Sequence, residues 1–227
     1  MSYYECDVRS LPEGSDSPSR LALVARRLGY SGMIICNRAT NGPLFGAGAT
    51  EKIDKIDVAR GVELVASSPR TLHSRTAALR SRFDFLAACG GPERIDRAAC
   101  EDPNVDLLLH PQERGKRLGI TAAKAARDNQ VTIGIDLGPM IHLRGSTRIK
   151  WAETVHQDLK LIRKFDLGLM ITTGPKSHLD LRAPREMIAL ARMVGLEDYE
   201  AEEALRLPER ILGLNRRRWA SPGVEML

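Results

Sequence analysis

The stretch Leu169-Met-Ile-Thr-Thr-Gly174-Pro-Lys-Ser-His178-Leu-Asp180-Leu-Arg182-Ala-Pro184-Arg185-Glu186 decides how this chain folds. It begins as a short apolar run that reads as a buried strand and breaks at Gly174-Pro175. After a dense polar cluster it restarts as a helix at Pro184, because the first helical position has no use for a backbone N–H. A strand that delivers Thr172, Lys176, Ser177, His178, Asp180 and Arg182 into one loop ahead of a helix is how an α/β protein builds a site.

The same unit recurs on either side. Met33-Ile-Ile-Cys36 is all apolar, as expected of a strand covered on both faces of a parallel sheet. Further strands are expected at Tyr3 to Val8, Asp57 to Ala66, Phe83 to Ala88, Val105 to Leu109 and Val131 to Leu137, with the opening stretch as the seventh. Helices fall between them. One is capped by Ser19 and closed by Gly29, with Leu21, Val24 and Leu28 on one face. Another opens at Ser68-Pro69 and turns Leu72, Thr76 and Leu79 inward, and a third follows Gly90-Gly91-Pro92. An alanine-rich helix runs from Thr121 to Arg127, with Asn129 as its cap. The longest, Ser146 to Lys164, aligns Ile149, Ala152, Val155, Leu159 and Ile162. A helix from Pro184 to Val194 and two short ones, Glu200 to Leu207 and Pro208 to Leu214, complete the pattern. Asn37 to Thr50 reads as a Gly-rich loop, and the basic tail around Arg216-Arg-Arg-Trp219 is expected to fray.

Seven strand–helix units in 227 residues predict an α/β protein, a TIM-like (β/α) barrel of about seven parallel strands, rather than an open sheet. The expected organisation is a single barrel domain over residues 1–227 with a short basic C-terminal tail. Neither a Gly-x-Gly-x-x-Gly after a strand nor a Walker-type loop is present, which argues against dinucleotide binding and nucleotide hydrolysis. A net charge of +5 favours an anionic partner, while 4% aromatic residues are too few for base stacking to dominate recognition. Four widely spaced cysteines without a Cys-x-x-Cys pair read as reduced thiols in the cytoplasm. No apolar run approaches the length of a membrane span.

If the barrel forms, functional groups belong where strands end. Asp7, Glu63, His110, His178 and Asp180 together would suit a metal-dependent phosphoesterase. Against this, such barrels need a His-x-His pair projecting from one strand, and the first strand reads Glu5-Cys6-Asp7. None of His73, His110, His142, His156 and His178 has another histidine close by in sequence. Ser177-His178 lacks a nucleophile elbow and suits loop hydrogen bonding better. Lys176, Arg182 and Arg185 fall in one loop and the first turn of the helix after it, where positive charge opposes the helix dipole, so they are not there for helix stability. Either an anionic partner explains them, or local pairs do, Arg182 with Asp180 and Arg185 with Glu186. Arg97, Arg114, Lys116, Lys124, Arg144 and Arg148 would extend the basic surface. A barrel that binds a small phosphorylated metabolite is a third reading.

Several blocks along the chain carry a family resemblance: Leu28-Gly-Tyr-Ser-Gly32, Gly61-Val-Glu63, Ile95-Asp-Arg97-Ala-Ala99, Val105-Asp-Leu-Leu-Leu-His110-Pro111, Arg163-Lys-Phe165, and Ile171-Thr-Thr-Gly174 with Ser177 to Glu186. In that order they resemble RNase P protein component 3, the archaeal counterpart of the eukaryotic thirty-kilodalton RNase P subunit. The chain departs from the family pattern at Thr173-Gly174-Pro175-Lys176 and at Asp96, where Asn is more usual. The resemblance implies a PHP-like barrel and membership of the ribonucleoprotein that removes the 5′ leader of precursor tRNA. It further implies that the RNA subunit is the catalyst and uses the magnesium, with no cofactor and no catalytic residue in this chain. Implied partners are RNase P RNA, precursor tRNA and other RNase P proteins, in a heterotetramer with a small α/β subunit and away from membranes. The residues expected to touch RNA phosphates are Arg97, Lys124, Lys164, Lys176, Arg182 and Arg185.

Overall fold

A computed structural model describes residues 2–39, 53–111 and 117–217, and the backbone of 219–221 and 224–225. Seven parallel strands lie side by side in chain order: β1 (Tyr4–Val8), β2 (Gly32–Arg38), β3 (Asp57–Leu64), β4 (Phe85–Cys89), β5 (Leu107–Leu109), β6 (Thr132–Asp136) and β7 (Leu169–Thr172). Helices α1 (Pro18–Leu28), α2 (Pro69–Leu79), α3 (Glu93–Glu101), α4 (Ile120–Asn129), α5 (Gly138–His142), α6 (Gly145–Phe165) and α7 (Pro184–Met193) make the crossovers and the outer layer, and α8 (Asp198–Asn215) follows. The sheet curls until β7 meets β1, so the barrel expected from the sequence forms. Arg114, Lys116 and the Gly-rich loop beyond residue 39 lie outside the described residues.

Two apolar layers result from strand alternation. Val8, Met33, Ile35, Val62, Leu64, Leu86 and Leu108 pack outward under the helices. Tyr4, Cys6, Ile34, Cys36, Ala59, Phe85, Ala87, Leu107, Leu109 and Met170 fill the interior. Seven strands enclose less room than eight, so some interior positions must be bare. At Gly61 an added Cβ would stand 2.6 Å from Cys36 Sγ, and at Gly134 2.6 Å from Leu109.

Helix α8 closes the base. It packs on β7 and β1, and buried Leu212 joins the interior cluster. The sequence suggests a break at Pro208, yet one helix runs through it. Burial of Ala204, Leu205, Pro208 and Leu212 along one stripe offsets the roughly 3 kcal/mol that an internal proline costs. Asn215 then donates to Asp84 O and to Asp106 Oδ1, and Arg216 pairs with Asp57 at 2.7 Å, all at strand starts.

Other expectations shift by a residue or two for local reasons. Ser17, not Ser19, caps α1, because Pro18 takes the first helical position. Gln130, not Asn129, adopts the left-handed stop of α4, while Asn129 stays helical and donates to Cys100 O and Ala125 O. Ile149 is 59% exposed, and most residues of the first turns of α6 are exposed with it. Trp219–Ser221 and Val224–Glu225 pair as an antiparallel ribbon instead of fraying, because backbone groups satisfied across a ladder need no water.

Candidate functional site at the barrel mouth

The opening stretch turns out to be the seam that shuts the barrel. Among the described residues, side chains and loops, and not a backbone ladder, join β1 to β7. Thr172 Oγ1 lies 2.6 Å from both Glu5 Oε1 and Cys6 O, and also accepts from Gly174 N at 2.9 Å. Its one proton must go to the carbonyl, so Glu5 supplies the other as a neutral acid. Burial pushes the Glu5 carboxyl up to about 8, in agreement. Tyr30 Oη donates to its other oxygen at 3.1 Å. Above the strands, Arg9 N donates to Pro175 O at 2.8 Å and Ser15 N to Lys176 O at 2.7 Å.

Two of the proposed metal ligands serve this seam. Asp180 accepts from Lys176 N, Ser177 N and Ser177 Oγ at 3.1, 2.9 and 3.2 Å. His178 Nδ1 sits 2.7 Å from Asp16 Oδ2, which also takes the His178 backbone N–H at 2.8 Å. These bonds hold the Asp16 carboxyl below its ordinary value. Arg20 can only donate, so His178 Nε2, 3.2 Å from Arg20 Nη2, is an acceptor and Nδ1 carries the proton.

Asp7, Glu63 and His110 do converge, at the strand ends, with Asp136 beside them. A bulge in β1 between Glu5 and Val8 sets this up. Asp7 there takes φ 60°, which changes the parity of the strand and turns Asp7 and Arg9 to the mouth. His110 follows β5 with φ 56°. Its Nε2 is 3.8 Å from Glu63 Oε1 and its Nδ1 3.9 Å from Asp136 Oδ2. A Cβ on Gly174 would stand 3.6 Å from Asp136 and 3.7 Å from Asp7, so the seam loop borders the same space.

The residue that sequence reasoning missed is Arg9. Its guanidinium is 3% exposed, and Nη2 reaches Asp7 Oδ1 at 2.7 Å and Glu63 Oε2 at 2.8 Å. Arg38 Nε adds a second contact to Glu63 Oε2 at 2.6 Å. Burial alone would raise the Glu63 carboxyl, but Arg9 and Arg38 together hold it below its ordinary value. Burial raises Asp7 and Asp136, against the pull of Arg9 and His110 respectively. The available signal is Asp7-Val-Arg9, an acid and a base two apart at a strand end.

The six expected RNA contacts do not share one end of the barrel. Lys176, Arg182 and Arg185 lie at the mouth, after β7 and in the first turn of α7. Their expected local pairs do not form: Asp180 caps the loop, and Glu186 Oε2 accepts from Ala183 N at 2.8 Å. Arg182 Nη1 instead donates to Leu179 O and Leu181 O. Arg97 and Lys124 are exposed on the neighbouring helices α3 and α4, with Arg97 paired to Glu101 at 2.7 Å. Lys164, over the Phe165 ring at 5.6 Å, sits near the base, where α6 leads into β7. Asp96 is buried and accepts from Gly91 N at 2.7 Å, a loop-fixing role.

The model of one family, described as RNase P subunit p30, matches residues 2–220. Ribonuclease P protein component 3 of Methanosarcina mazei is 38% identical over 94% of this chain and 90% of its own length. That of Methanococcoides burtonii is 37% identical over 99% and 94%. Among solved structures, a chain of archaeal ribonuclease P with mature tRNA superposes with a TM-score of 0.82 at 20% identity, covering 98% of both chains. Histidinol phosphate phosphatase from Lactococcus lactis, solved with zinc, L-histidinol and phosphate, gives 0.57 at 14% identity over 86% and 95%. The last two likenesses concern the barrel.

The residues here do not fit a zinc ion of the kind that phosphatase was solved with. Arg9 lies between Asp7 and Glu63, and His178 and Asp180 are committed to the seam. Among the described residues, no three His, Cys, Asp or Glu side chains form a metal-holding group.

Proposed function

This chain belongs to the RNase P subunit p30 family and is a protein subunit of ribonuclease P; on that premise, we propose that its own share of the work is to hold RNA phosphate, while the RNA performs the cleavage. The observation that carries this is Arg9, whose buried guanidinium fills the place between Asp7 and Glu63 where a hydrolytic barrel would need a metal-activated water. The charge left over for a partner is at the rim. Lys176, Arg182 and Arg185 stand beside a mouth that neutralises itself, without the acidic partners the sequence offers them, and Arg97 and Lys124 add exposed charge on α3 and α4. The partners in this reading are RNase P RNA and precursor tRNA, with other protein subunits and a heterotetramer built with a small α/β protein. Magnesium belongs to the RNA, and the chain needs no cofactor of its own. Four free cysteines suit a reducing cytoplasm.

Reconstituted holoenzyme carrying Arg182→Ala and Arg185→Ala tests the assignment. Each lost phosphate contact should weaken RNA binding at every sequence and reduce the salt slope by about 1. Unchanged affinity and salt dependence would remove these residues from the interface. Phosphate-ester hydrolysis by the protein alone would overturn the division of labour.

A further inference from the structure

Three carboxylates and an imidazole face one space at strand ends, the residue types of a divalent-metal site, although with Arg9 among them no three of the described residues stand close enough to hold one. In this chain the centre of that space is taken. Arg9 Nη2 lies 2.7 Å from Asp7 Oδ1 and 2.8 Å from Glu63 Oε2, with three side chains that are each no more than 3% exposed. His110 stands 3.8 Å beyond Glu63 Oε1 and 3.9 Å from Asp136 Oδ2, directed at both acids but bonded to neither.

A guanidinium placed only for stability would use its donors. Here Arg9 Nη1 and Glu63 Oε1 are both buried and have no hydrogen-bond partner among the described residues. Leaving buried charged atoms unsatisfied costs free energy that a purpose-built ion pair avoids. The backbone carries the same mark. Five non-glycine residues have positive φ among those described: Asp7, Lys55, His110, Gln130 and Asp166. Gln130 and Asp166 are helix stops, where that conformation belongs. Asp7 and His110 close no helix; they aim an acid and an imidazole into the mouth.

We infer that the barrel mouth is a divalent-cation cage that holds its own cation: the Arg9 guanidinium stands where a metal ion would sit among Asp7, Glu63, His110 and Asp136. One positive charge in place of two, hydrogen-bonded to Glu63 and ion-paired with Asp7, keeps the cage closed without coordination chemistry. A metal bound to the same oxygens would sit at about 2.0–2.2 Å, so the acids would need to close in by roughly half an ångström or somewhat more. Removing Arg9 frees the centre and leaves the donors. The natural chain therefore binds no transition metal at the mouth, and loss of one side chain makes a site for zinc or manganese.

The test uses the full chain as wild type, Arg9→Ala and Arg9→Gln, each stripped with chelator, exposed to zinc or manganese and desalted. Elemental analysis should find close to one metal per chain in the variants and none in wild type. Added zinc should raise the melting temperature of the variants by several degrees and leave wild type unmoved. If a variant is unfolded without metal, zinc should restore its fold, and Asp7→Asn in the Arg9→Ala background should abolish uptake in either case. Stoichiometric metal in wild type overturns the inference. So does the absence of both uptake and rescue in the two variants. This inference rests on the same placement of Arg9 as the proposed function, whose RNA contacts are tested separately at Arg182 and Arg185.

Discussion

At the base of the barrel Asp57, Asp84 and Asp106 meet Arg80, Asn215 and Arg216; at the mouth Asp7, Glu63 and Asp136 meet Arg9, Arg38 and His110. The residue types are nearly the same, but the accounting differs. Asp106 accepts from Arg80 Nη1 and from Leu86 N, each at 2.7 Å, and from Asn215 Nδ2 at 2.9 Å. Asp57 and Asp84 keep 34% and 40% of their side chains in water. The mouth is drier, with Glu63 at 0% and Asp7 at 1%, and it leaves buried polar atoms without partners. A satisfied, half-solvated acid–base cluster is what holds α8 against strand starts. An over-buried and under-satisfied one indicates a position shaped by something other than stability.

Removing an acid at each end should separate the two. Glu63→Ala withdraws the acceptor shared by Arg9 and Arg38 and strands a buried guanidinium, so unfolding in urea should show a loss of about 3–5 kcal/mol. Asp106→Ala orphans mainly the Leu86 N–H while Arg80 still reaches Asn104 O, Phe83 O and Asp84 O, so the same assay should show about 1–3 kcal/mol. If the base proves costlier than the mouth, the contrast between them is lost.

A pH-dependent effect sharpens the seam that connects the two ends. The folded-state Glu5 carboxyl titrates at about 8 against an ordinary 4.5, so folding favours its proton. Its contribution is therefore complete below 4.5 and is lost as pH rises through about 8. Glu5→Gln keeps a neutral donor and acceptor between Thr172 and Tyr30, and should flatten that part of the stability profile. Urea midpoints of the two proteins should match below about pH 4.5, separate in favour of Gln between there and about 8, and stay apart above; parallel profiles would mean that Glu5 is ionised in the fold.

Much of this molecule could be read from residue order. Apolar runs such as Met33 to Cys36 marked the strands, Pro69 and Pro184 marked helix starts, and Glu63 and His110 stood at strand ends where a barrel puts its functional groups. The family blocks around Ile171 to Glu186 were correctly placed together, although they act first as the closure of the barrel and only at Lys176, Arg182 and Arg185 as exposed charge.

What the sequence determined by itself was the alternation of strands and helices, because that depends on local periodicity and on where proline and glycine permit a start or a stop. Tertiary structure decided which side chains share the mouth. Alternation counted from Cys6, which faces the interior, would turn Asp7 and Arg9 outward, and only the bulge at Asp7 reverses them. A single left-handed residue in the β1 bulge thus placed a guanidinium between Asp7 and Glu63 at the barrel mouth.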